Sequence, residues 1–154
     1  PYVKCPNDIL IGNLKLGGVL FDSSGVVTAH VTVIVGIGLN VNIRRDEFPW
    51  ELREIATSLM IEAQQPFDRA ALLSTLLSEL ETRCESFLAG NHGDILEEYM
   101  LRCSTIGRRV RIELAHGEQM DGTAESIRQD GSLRIIRDDR TAVDIRAGDV
   151  IHLR

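Results

Sequence analysis

The fold is decided by residues 4–42, which read KCPNDILIGNLKLGGVLFDSSGVVTAHVTVIVGIGLNVN. Residues 9–11 (Ile-Leu-Ile) are apolar and are followed by Gly12-Asn13, a dipeptide typical of a turn. The segment from Lys15 to Asp22 then predicts a strand that returns from this turn. Val26 to Gly38 is rich in β-branched residues and predicts a buried central strand. We therefore expect the chain to open with an antiparallel meander.

The middle of the chain predicts a loop and then helices. Arg44 to Glu51 is charged and contains one Pro, so we expect a mobile loop with little apolar area to dock. Asp68 is a plausible N-cap for a long helix that Gly90 would end. Asp94 is expected to begin a further helix. Helical spacing also predicts a short helix before the long one, with an apolar face of Leu52, Ile55, Ala56, Leu59 and Met60. In the long helix the same spacing predicts a stripe that faces the core, made of Leu73, Leu76, Leu77, Leu80, Cys84, Phe87 and Leu88.

The chain changes character at about Ser104. Val110, Ile112 and Leu114 alternate with polar residues, as in a half-buried strand. Turn signals then recur every few residues, and the spacing predicts five short strands, enough for a small barrel. We expect an α+β fold with two domains: residues 1–104, with an antiparallel or mixed sheet and packed helices, and residues 105–154, an SH3-like barrel.

Composition excludes several classes of function. The chain has 154 residues, of which 44% are hydrophobic and 26% charged, so a folded protein is expected. A net charge of −6 argues against a nucleic-acid or anionic-membrane partner, because both require a positive surface. No apolar run approaches the roughly 20 residues that span a bilayer. Cys5, Cys84 and Cys103 show no disulfide pattern, which favours a reducing compartment such as the cytoplasm.

The first 42 residues also concentrate unusual residue types. The only two lysines of the chain, Lys4 and Lys15, both lie here. Lysine offers a compact, movable ammonium that suits a phosphate oxygen. Adjacent glycines at Gly17-Gly18 weaken a strand and suggest the close approach of a ligand or another backbone. Each motif taken separately is also typical of an ordinary turn or bulge.

Taken together, the motifs resemble those of the biotin protein ligase family in order and spacing. The chain has Lys4-Cys-Pro-Asn-Asp, Lys15-Leu-Gly-Gly-Val-Leu and Gly36-Ile-Gly-Leu-Asn-Val-Asn. The family has Lys-Trp-Pro-Asn-Asp, Lys-(Leu/Ile)-(Ala/Gly)-Gly-Ile-Leu and Gly-(Ile/Ala)-Gly-(Ile/Leu)-Asn-(Val/Met). The resemblance continues through Asp46-Glu-Phe-Pro-Trp-Glu-Leu and Ile55-Ala-Thr-Ser-Leu, which are similar to the family's loop over the adenylate. It ends at Gly148-Asp-Val-Ile-His-Leu-Arg, so it covers nearly the whole chain.

The resemblance implies an activity and a set of substrates. Such ligases join biotin to ATP to make biotinyl-5′-AMP and pyrophosphate, with Mg²⁺. They then transfer biotin to a lysine of a biotin carboxyl carrier domain, which is the expected protein partner. The family's Gly/Arg-rich loop lies upstream of the position of Lys4 and has no counterpart in this sequence. We therefore expect the chain to be the C-terminal part of such a ligase and to be inactive by itself.

The resemblance also implies roles for individual residues. Lys15 matches the lysine that contacts the phosphate and carbonyl oxygens of the adenylate, and is expected both to be the catalytic residue and to contact biotin. Asn40 matches the residue that reads the adenine. Lys4, Asn7 and Asp8 are expected on the phosphate side, with Asp8 as a ligand of Mg²⁺. Gly17, Gly18 and Gly36 are expected to lie along biotin. Gly38 is expected beside the adenine, and Arg154 at a further contact with ATP.

One departure and two alternatives stay open. Cys5 stands where the family usually has Trp, and we expect it to be a small buried hydrophobe. A lipoate ligase or octanoyl transferase shares the catalytic fold and is the first alternative. A non-catalytic ligand-binding or SH3-like interaction module is the second. An exposed strand edge at the start of the chain also predicts a homo-oligomer.

Overall fold

The computed structural model of the chain describes residues 1–24, 32–114 and 117–153, which form two compact units. The first comprises residues 1–2 and 7–73, and the second comprises residues 3–6 and 74–154. Each contains an antiparallel sheet, and helices complete an α+β fold, as the sequence predicts. This division by compactness groups residues 74–104 with the barrel, and the domain boundary at residue 104 stays a prediction.

An antiparallel meander forms the sheet of the first unit. After the short β1 (Tyr2–Lys4), of which only Tyr2 belongs to this unit, come β2 (Asp8–Ile11), β3 (Leu14–Ser24) and β4 (Thr32–Leu39). β3 pairs with β2 on one side and with β4 on the other. Gly12 adopts a φ of +58°, the conformation that the turn requires. The predicted meander is thereby confirmed, although residues 26–31 of the expected third strand lie outside the described residues.

The prediction that the β-branched strand is buried is wrong for its described residues. β4 has exposed apolar side chains on both faces: Val33 is 52% exposed and Ile34 is 59% exposed. On β3, Leu20 is 69% exposed and Phe21 is 70% exposed. β-Branched composition favours the extended backbone, but burial requires another layer, and none of the described residues covers these side chains.

The segment after β4 contains less helix than its periodicity predicts. Two short 3-10 helices (Arg45–Glu47 and Trp50–Leu52) precede α1, which spans only Leu59–Ala63. The helix expected from Leu52 to Met60 is therefore wrong in its first half. There the backbone pairs with β3 instead, through a parallel bridge between Lys15 and Ala56. Ser58 then caps α1 by accepting a hydrogen bond from the amide of Ile61, which fixes the start of the helix.

Two longer helices follow, α2 (Arg69–Leu88) and α3 (His92–Arg102). The N-cap prediction is confirmed, because Asp68 accepts hydrogen bonds from the amides at positions 70 and 71. Gly90, with a φ of +88°, follows the end of α2 as expected. The prediction that the α2 stripe is core is wrong, since no residue of this helix is buried. Helical spacing identifies the apolar face but not what covers it.

The second unit contains the predicted five-stranded barrel sheet. Its strands are β5 (Arg109–Glu113), β6 (Gln119–Ile127), β7 (Leu133–Ile136), β8 (Ala142–Ile145) and β9 (Asp149–His152), arranged in the order β8-β7-β6-β5-β9. Val110, Ile112 and Ile135 are fully buried and form its centre, in agreement with the alternation seen in the sequence. Cys5 and Cys103 join this core as free thiols, and burial raises the pKa of Cys5. Cys5 is thus a small buried residue, as predicted.

Paired charges cover the outside of the barrel sheet. Arg111 and Asp121 lie directly opposite each other on β5 and β6 and form a two-bonded ion pair, and Arg134 and Asp144 do the same on β7 and β8. Cross-strand pairs of opposite charge stabilise a sheet modestly.

In the part of the chain that the structure describes, no helix combines the length and the apolar character that crossing a membrane would demand.

Candidate functional site

A cavity of about 990 Å³ in the first unit brings most of the motif residues together. A volume of this order suits a ligand of nucleotide size. Eight of the residues singled out in the sequence line it: Asn7, Asp8, Lys15, Gly17, Gly18, Gly36, Gly38 and Asn40. Lys4 does not line it and belongs to the second unit. Arg154 lies outside the described residues.

The floor of the cavity is a flat strip of glycine on β3 and β4. Gly18 lies directly opposite Gly38, and Leu20 lies opposite Gly36. Residues that pair directly share a face of the sheet, so three glycines are adjacent on the cavity face. A Cβ at Gly36 or Gly38 would approach no atom of the described chain closer than 3.8 Å. Contacts within the described chain therefore do not require these two glycines, whereas the close approach of a flat ligand would.

Gly17 is a different kind of glycine. A Cβ at this position would lie 2.3 Å from the carbonyl oxygen of Gly38, which no real structure tolerates. Gly17 also belongs to the opposite face of the strand, where it pairs with Ile9 and Leu39. Strand packing is thus sufficient to explain the absence of a side chain at Gly17, and its expected role beside biotin stays a prediction.

A β-bulge aims Lys15 into the cavity. Gly17 pairs with Ile9 and Lys15 pairs with Leu10, so Leu16 has no partner on β2. Regular alternation would place Lys15 on the face opposite Gly18, and the extra residue brings it to the same face. Leu16 itself is only 4% exposed, which anchors the bulge. The motif spacing could not show this, because a register shift depends on the partner strand.

The ammonium of Lys15 lies among groups from the first motif. Its Nζ is 2.5 Å from Oδ1 of Asp8, and its Cε lies 3.7 Å from where a Cβ on Gly18 would stand. Asp8 pairs with Gly18 on the same face, and the carbonyl of Asn7 accepts the amide of Val19. Half of the Lys15 side chain is exposed, so the cation is held in place yet accessible to a ligand.

Residues 55–58 support the site. They belong to the Ile55-Ala-Thr-Ser-Leu motif of the resemblance, which implied a loop over the adenylate and no supporting contact to Lys15. The amide of Lys15 donates to the carbonyl of Ile55, and the amide of Thr57 donates to the carbonyl of Lys15, both at 2.8 Å. Nδ2 of Asn40 donates to the carbonyl of Thr57 at 3.0 Å. Thr57 and Ser58 are completely buried polar residues with hydrogen-bond partners. The supporting role depends on burial and on hydrogen bonds between distant segments, and neither is visible in sequence.

The segment of residues 44–53 borders the cavity and packs better than its charge suggests. Phe48, which lines the cavity, is only 6% exposed, whereas Trp50 is 76% exposed. The segment thus docks one aromatic side chain, and its expected mobility without ligand stays a prediction. Arg53 donates from its guanidinium to the carbonyls of Asp46 and Phe48. Arg45 donates to the carbonyls of Arg53 and Ala56. Side-chain donors thus satisfy the backbone of a segment that has almost no regular structure.

The arrangement offers three chemical features in one place: a held ammonium, a flat glycine floor and an amide acceptor. Oδ1 of Asn40 receives no hydrogen bond from the described residues, whereas its Nδ2 is engaged. Within the described ranges there is no group of three or more side chains suited to a metal ion. Asp8 provides one carboxylate, which fits Mg²⁺ held mainly by phosphates and water rather than by a protein cage.

Comparison with known proteins points to one family. Residues 105–153 match the family described as the biotin protein ligase C terminal domain. The biotin–[acetyl-CoA-carboxylase] ligase of Mycobacterium tuberculosis is 38% identical over 152 residues, which are 99% of this chain and 53% of that protein. The bifunctional ligase/repressor BirA of Bacillus subtilis is 34% identical over 115 residues, which are 75% of this chain and 35% of that protein. The chain thus spans about half the length of the first relative and a third of the second.

Solved structures show the same fold. The apo structure of biotin protein ligase from Aquifex aeolicus superposes with a TM-score of 0.82 at 24% identity, over 99% of this chain and 65% of that one. The same enzyme in complex with biotin and ATP gives a TM-score of 0.81 at 24% identity, over 99% and 62%. These matches agree with the α+β fold described above.

Proposed function

The chain belongs to the biotin protein ligase family, and on that premise we propose that its first unit supplies the adenylate side of a biotin-activating site. The observation that carries the proposal is the convergence of Lys15, the glycine floor and Asn40 in one cavity. The reaction is the attack of the biotin carboxylate on the α-phosphorus of ATP, which releases pyrophosphate. A lysine of a biotin carboxyl carrier domain then attacks the biotinyl carbonyl and releases AMP.

Lys15 is the proposed catalytic residue of this site. Negative charge develops on the phosphoryl and acyl oxygens, and a preorganised cation stabilises it. The bulge at Leu16 and the two hydrogen bonds of the Lys15 backbone fix the position of its side chain beforehand. Its pairing with Asp8 holds the ammonium over the glycine floor until a ligand phosphate replaces the carboxylate. Positioning of this kind is a large part of the rate gain when two bound groups react.

The glycine floor and Asn40 are proposed to bind the rest of the adenylate. The biotinyl linkage would lie along Gly18 and Gly36, where the absence of side chains allows contact with the backbone. Asn40 would accept a hydrogen bond at Oδ1 from the exocyclic amine of adenine, because its Nδ2 is already bound to Thr57. Gly38 lies between the two groups on β4 and leaves room for the nucleotide.

We propose that Asp8, Asn7 and Lys4 lie on the phosphate side of the site, and the support differs from one residue to the next. Asp8 would take part in holding Mg²⁺, which neutralises phosphate charge when it is bound with ATP. Asn7 lines the same cavity. Lys4 belongs to the second unit, so its proposed phosphate contact rests on the motif resemblance alone. The same holds for the proposed ATP contact of Arg154.

The partner of the proposed enzyme is a biotin carboxyl carrier domain rather than a nucleic acid or a membrane. At least four arginines of the second unit are committed to carboxylates, at Asp121, Asp130, Asp138 and Asp144. A surface of paired charges offers little to a phosphate backbone. Three free thiols, at Cys5, Cys84 and Cys103, support the proposed cytoplasmic location.

A chimaera tests the proposal directly. This chain replaces the matching 152 residues in the Mycobacterium tuberculosis ligase, and biotin-dependent exchange between ATP and pyrophosphate is measured. We expect exchange with biotin and none with lipoate or octanoate. Exchange that depends on lipoate or octanoate would favour the alternative ligase, and the absence of exchange from a folded chimaera would contradict both.

The chain alone is proposed to be inactive. Purified chain, biotin, Mg-ATP and a carrier domain are incubated, and labelling is detected with streptavidin. We expect no labelling above that of a Lys15→Ala chain. Robust labelling would show that the described cavity is a complete site, and the proposal that it supplies only the adenylate side would be wrong.

A further inference from the structure

We infer that Arg45 is a positioning residue that holds Lys15 in its place through residues 55–57. The inference deepens the proposed function and rests on it for its catalytic consequence. Arg45 does not line the cavity, and the hydrogen bonds of its side chain to described residues go to the carbonyls of Arg53 and Ala56. Its effect on Lys15 would be transmitted by backbone hydrogen bonds, all within the first unit.

The first step is the contact between Arg45 and Ala56. Nη1 of Arg45 donates to the carbonyl of Ala56 at 2.8 Å and also to the carbonyl of Arg53. Ala56 is only 7% exposed and its hydrogen bond to Arg45 is partly buried, so its carbonyl would lose a partner away from bulk water if the guanidinium were removed. A buried carbonyl without a donor is costly, and the segment would shift to recover one.

The second step is the contact between the segment and Lys15. Ile55 accepts the Lys15 amide, Thr57 donates to the Lys15 carbonyl, and Ala56 is the bridge partner between them. The residue that Arg45 holds is therefore flanked by the two residues that hold Lys15. A shift of Ala56 would move both of these hydrogen bonds.

The third step is the side chain itself. Lys15 occupies the end of a bulge, where the register with β2 has already shifted and pairing is locally disrupted. Its backbone on the other side is fixed by Ile55 and Thr57. Loosening that side lets the bulge relax and moves the ammonium away from the cavity face on which Asp8 lies. Misplacement by about 1 Å can cost roughly 100-fold in rate.

Arg44 provides a matched control. It carries the same charge and directly precedes Arg45, and among the described residues its side chain pairs with Asp46 and Glu47 of the same segment. No hydrogen bond links its side chain to Ala56 among the described residues. Arg44→Gln and Arg45→Gln thus remove the same charge, and only the second also removes the donor to the buried carbonyl.

The first experiment uses this chain and needs no activity. Amide hydrogen exchange is measured by NMR for Lys15 and Thr57 in the parent and in both variants. We expect Arg45→Gln to speed exchange at these two amides roughly tenfold, with Arg45→Lys partly restoring protection and Arg44→Gln leaving it unchanged. Equal exchange in Arg45→Gln and Arg44→Gln would overturn the inference. Amides of the paired strands β3 and β4 report on global unfolding.

The second experiment uses the chimaera and asks whether Arg45 acts through Lys15. Arg45→Gln should lower kcat for adenylate formation roughly 10- to 100-fold with a KM for ATP within about twofold of the parent. In a Lys15→Ala background the same change should cost less than about twofold, because the positioned group is gone. Multiplicative losses would overturn the inference. If the parent chimaera is inactive, the proposed function fails and the exchange experiment alone decides the role of Arg45.

Discussion

Lys4 and Lys15, the two lysines of the chain, have the same side chain but different surroundings. Lys15 is aimed into the cavity by a bulge and paired with Asp8. Lys4 lies in the second unit, where its charge contributes to lowering the pKa of His152. Residue type alone therefore does not assign a function, and the neighbours of each ammonium decide what it is able to stabilise.

Lys15→Ala in the chimaera should abolish most adenylate formation without harming the fold. Loss of one preorganised donor typically costs about 2.7–4 kcal/mol in the transition state, which is roughly 100- to 1000-fold in rate. The side chain is half exposed, so thermal unfolding followed by circular dichroism should barely change. Pyrophosphate exchange close to that of the parent would remove Lys15 from the proposed site.

Asn40→Ala in the chimaera should weaken ATP binding and spare biotin binding in the absence of ATP. The lost acceptor at Oδ1 should raise the Kd for ATP roughly 3- to 10-fold, measured by calorimetry. Asn42→Ala is the matched control, because Asn42 bonds to both backbone groups of Phe67 and does not line the cavity. Parallel losses of ATP and biotin affinity in Asn40→Ala would mean that its role is structural.

His152 should make the second unit less stable in acid. Burial is the main cause that lowers the pKa of His152 below its usual value, and the positive charges of Lys4 and Arg108 lower it further. The unfolded state therefore binds the proton more readily than the folded state below about pH 6.5. The contribution to stability is complete above that pH and is lost as the pH falls towards the lowered folded-state value. Nε2 also lies 3.0 Å from Oγ1 of Thr105, which accepts the amide of Cys5.

Denaturant unfolding of the chain and of His152→Gln at several pH values between 7.5 and 5 checks this prediction. The parent should lose more stability than the variant over that range. Identical pH dependence in the two proteins would show that His152 titrates alike in the folded and unfolded states.

At the scale of elements, one strand pair combines two uses of glycine. On one face of β3 and β4, Gly18 and Gly38 leave the cavity floor flat. On the other face, Gly17 permits the close approach of the Gly38 carbonyl. A single motif in the sequence thus contains both a position open to a ligand and a position closed by packing.

Gly17→Ala and Gly38→Ala should therefore differ in stability although both insert one methyl group into the same strand pair. Gly17→Ala should cost about 1–3 kcal/mol or more, because the backbone must move to make room. Gly38→Ala should change the free energy of unfolding by less than about 1 kcal/mol, since the nearest atom is 3.9 Å away. Denaturant titration of the chain measures both, and equal losses would contradict the distinction.

At the scale of the whole molecule, the apolar surface is incompletely covered. β3, β4 and α2 expose large side chains, among them Phe21, Ile34, Leu73 and Leu77. Exposed apolar area of this extent marks an interaction surface or a tendency to associate. β4 also stands last in the order of its sheet, so its outer edge is open within the described residues.

We predict that the chain self-associates at high concentration. An uncovered strand edge with apolar faces favours pairing with a second copy. Sedimentation velocity should show dimers or larger species that increase with concentration, and Ile34→Lys, which places a charge on the exposed strand, should shift them towards monomer. A chain that stays monomeric at every concentration would show that this surface does not drive association.

The local outline of the protein follows from its sequence. The turn at Gly12, the cap at Asp68, the stop at Gly90 and the alternation on β5 are all set by neighbouring residues, through allowed φ values, capping hydrogen bonds and side-chain periodicity. The motif resemblance also grouped eight residues that line one cavity, because it carries positional information along the chain, but it grouped Lys4 with them although Lys4 does not line that cavity.

Tertiary contacts were needed to settle which face each residue takes and what covers it. The direction of Lys15 depends on a register shift against β2, and the support of the site depends on hydrogen bonds that join Ile55 and Thr57 to residues far away in sequence. The exposure of β4 and α2 likewise has no local signal. Pairing register and burial are relations between distant segments, and a helical or strand periodicity in one segment does not contain its partner.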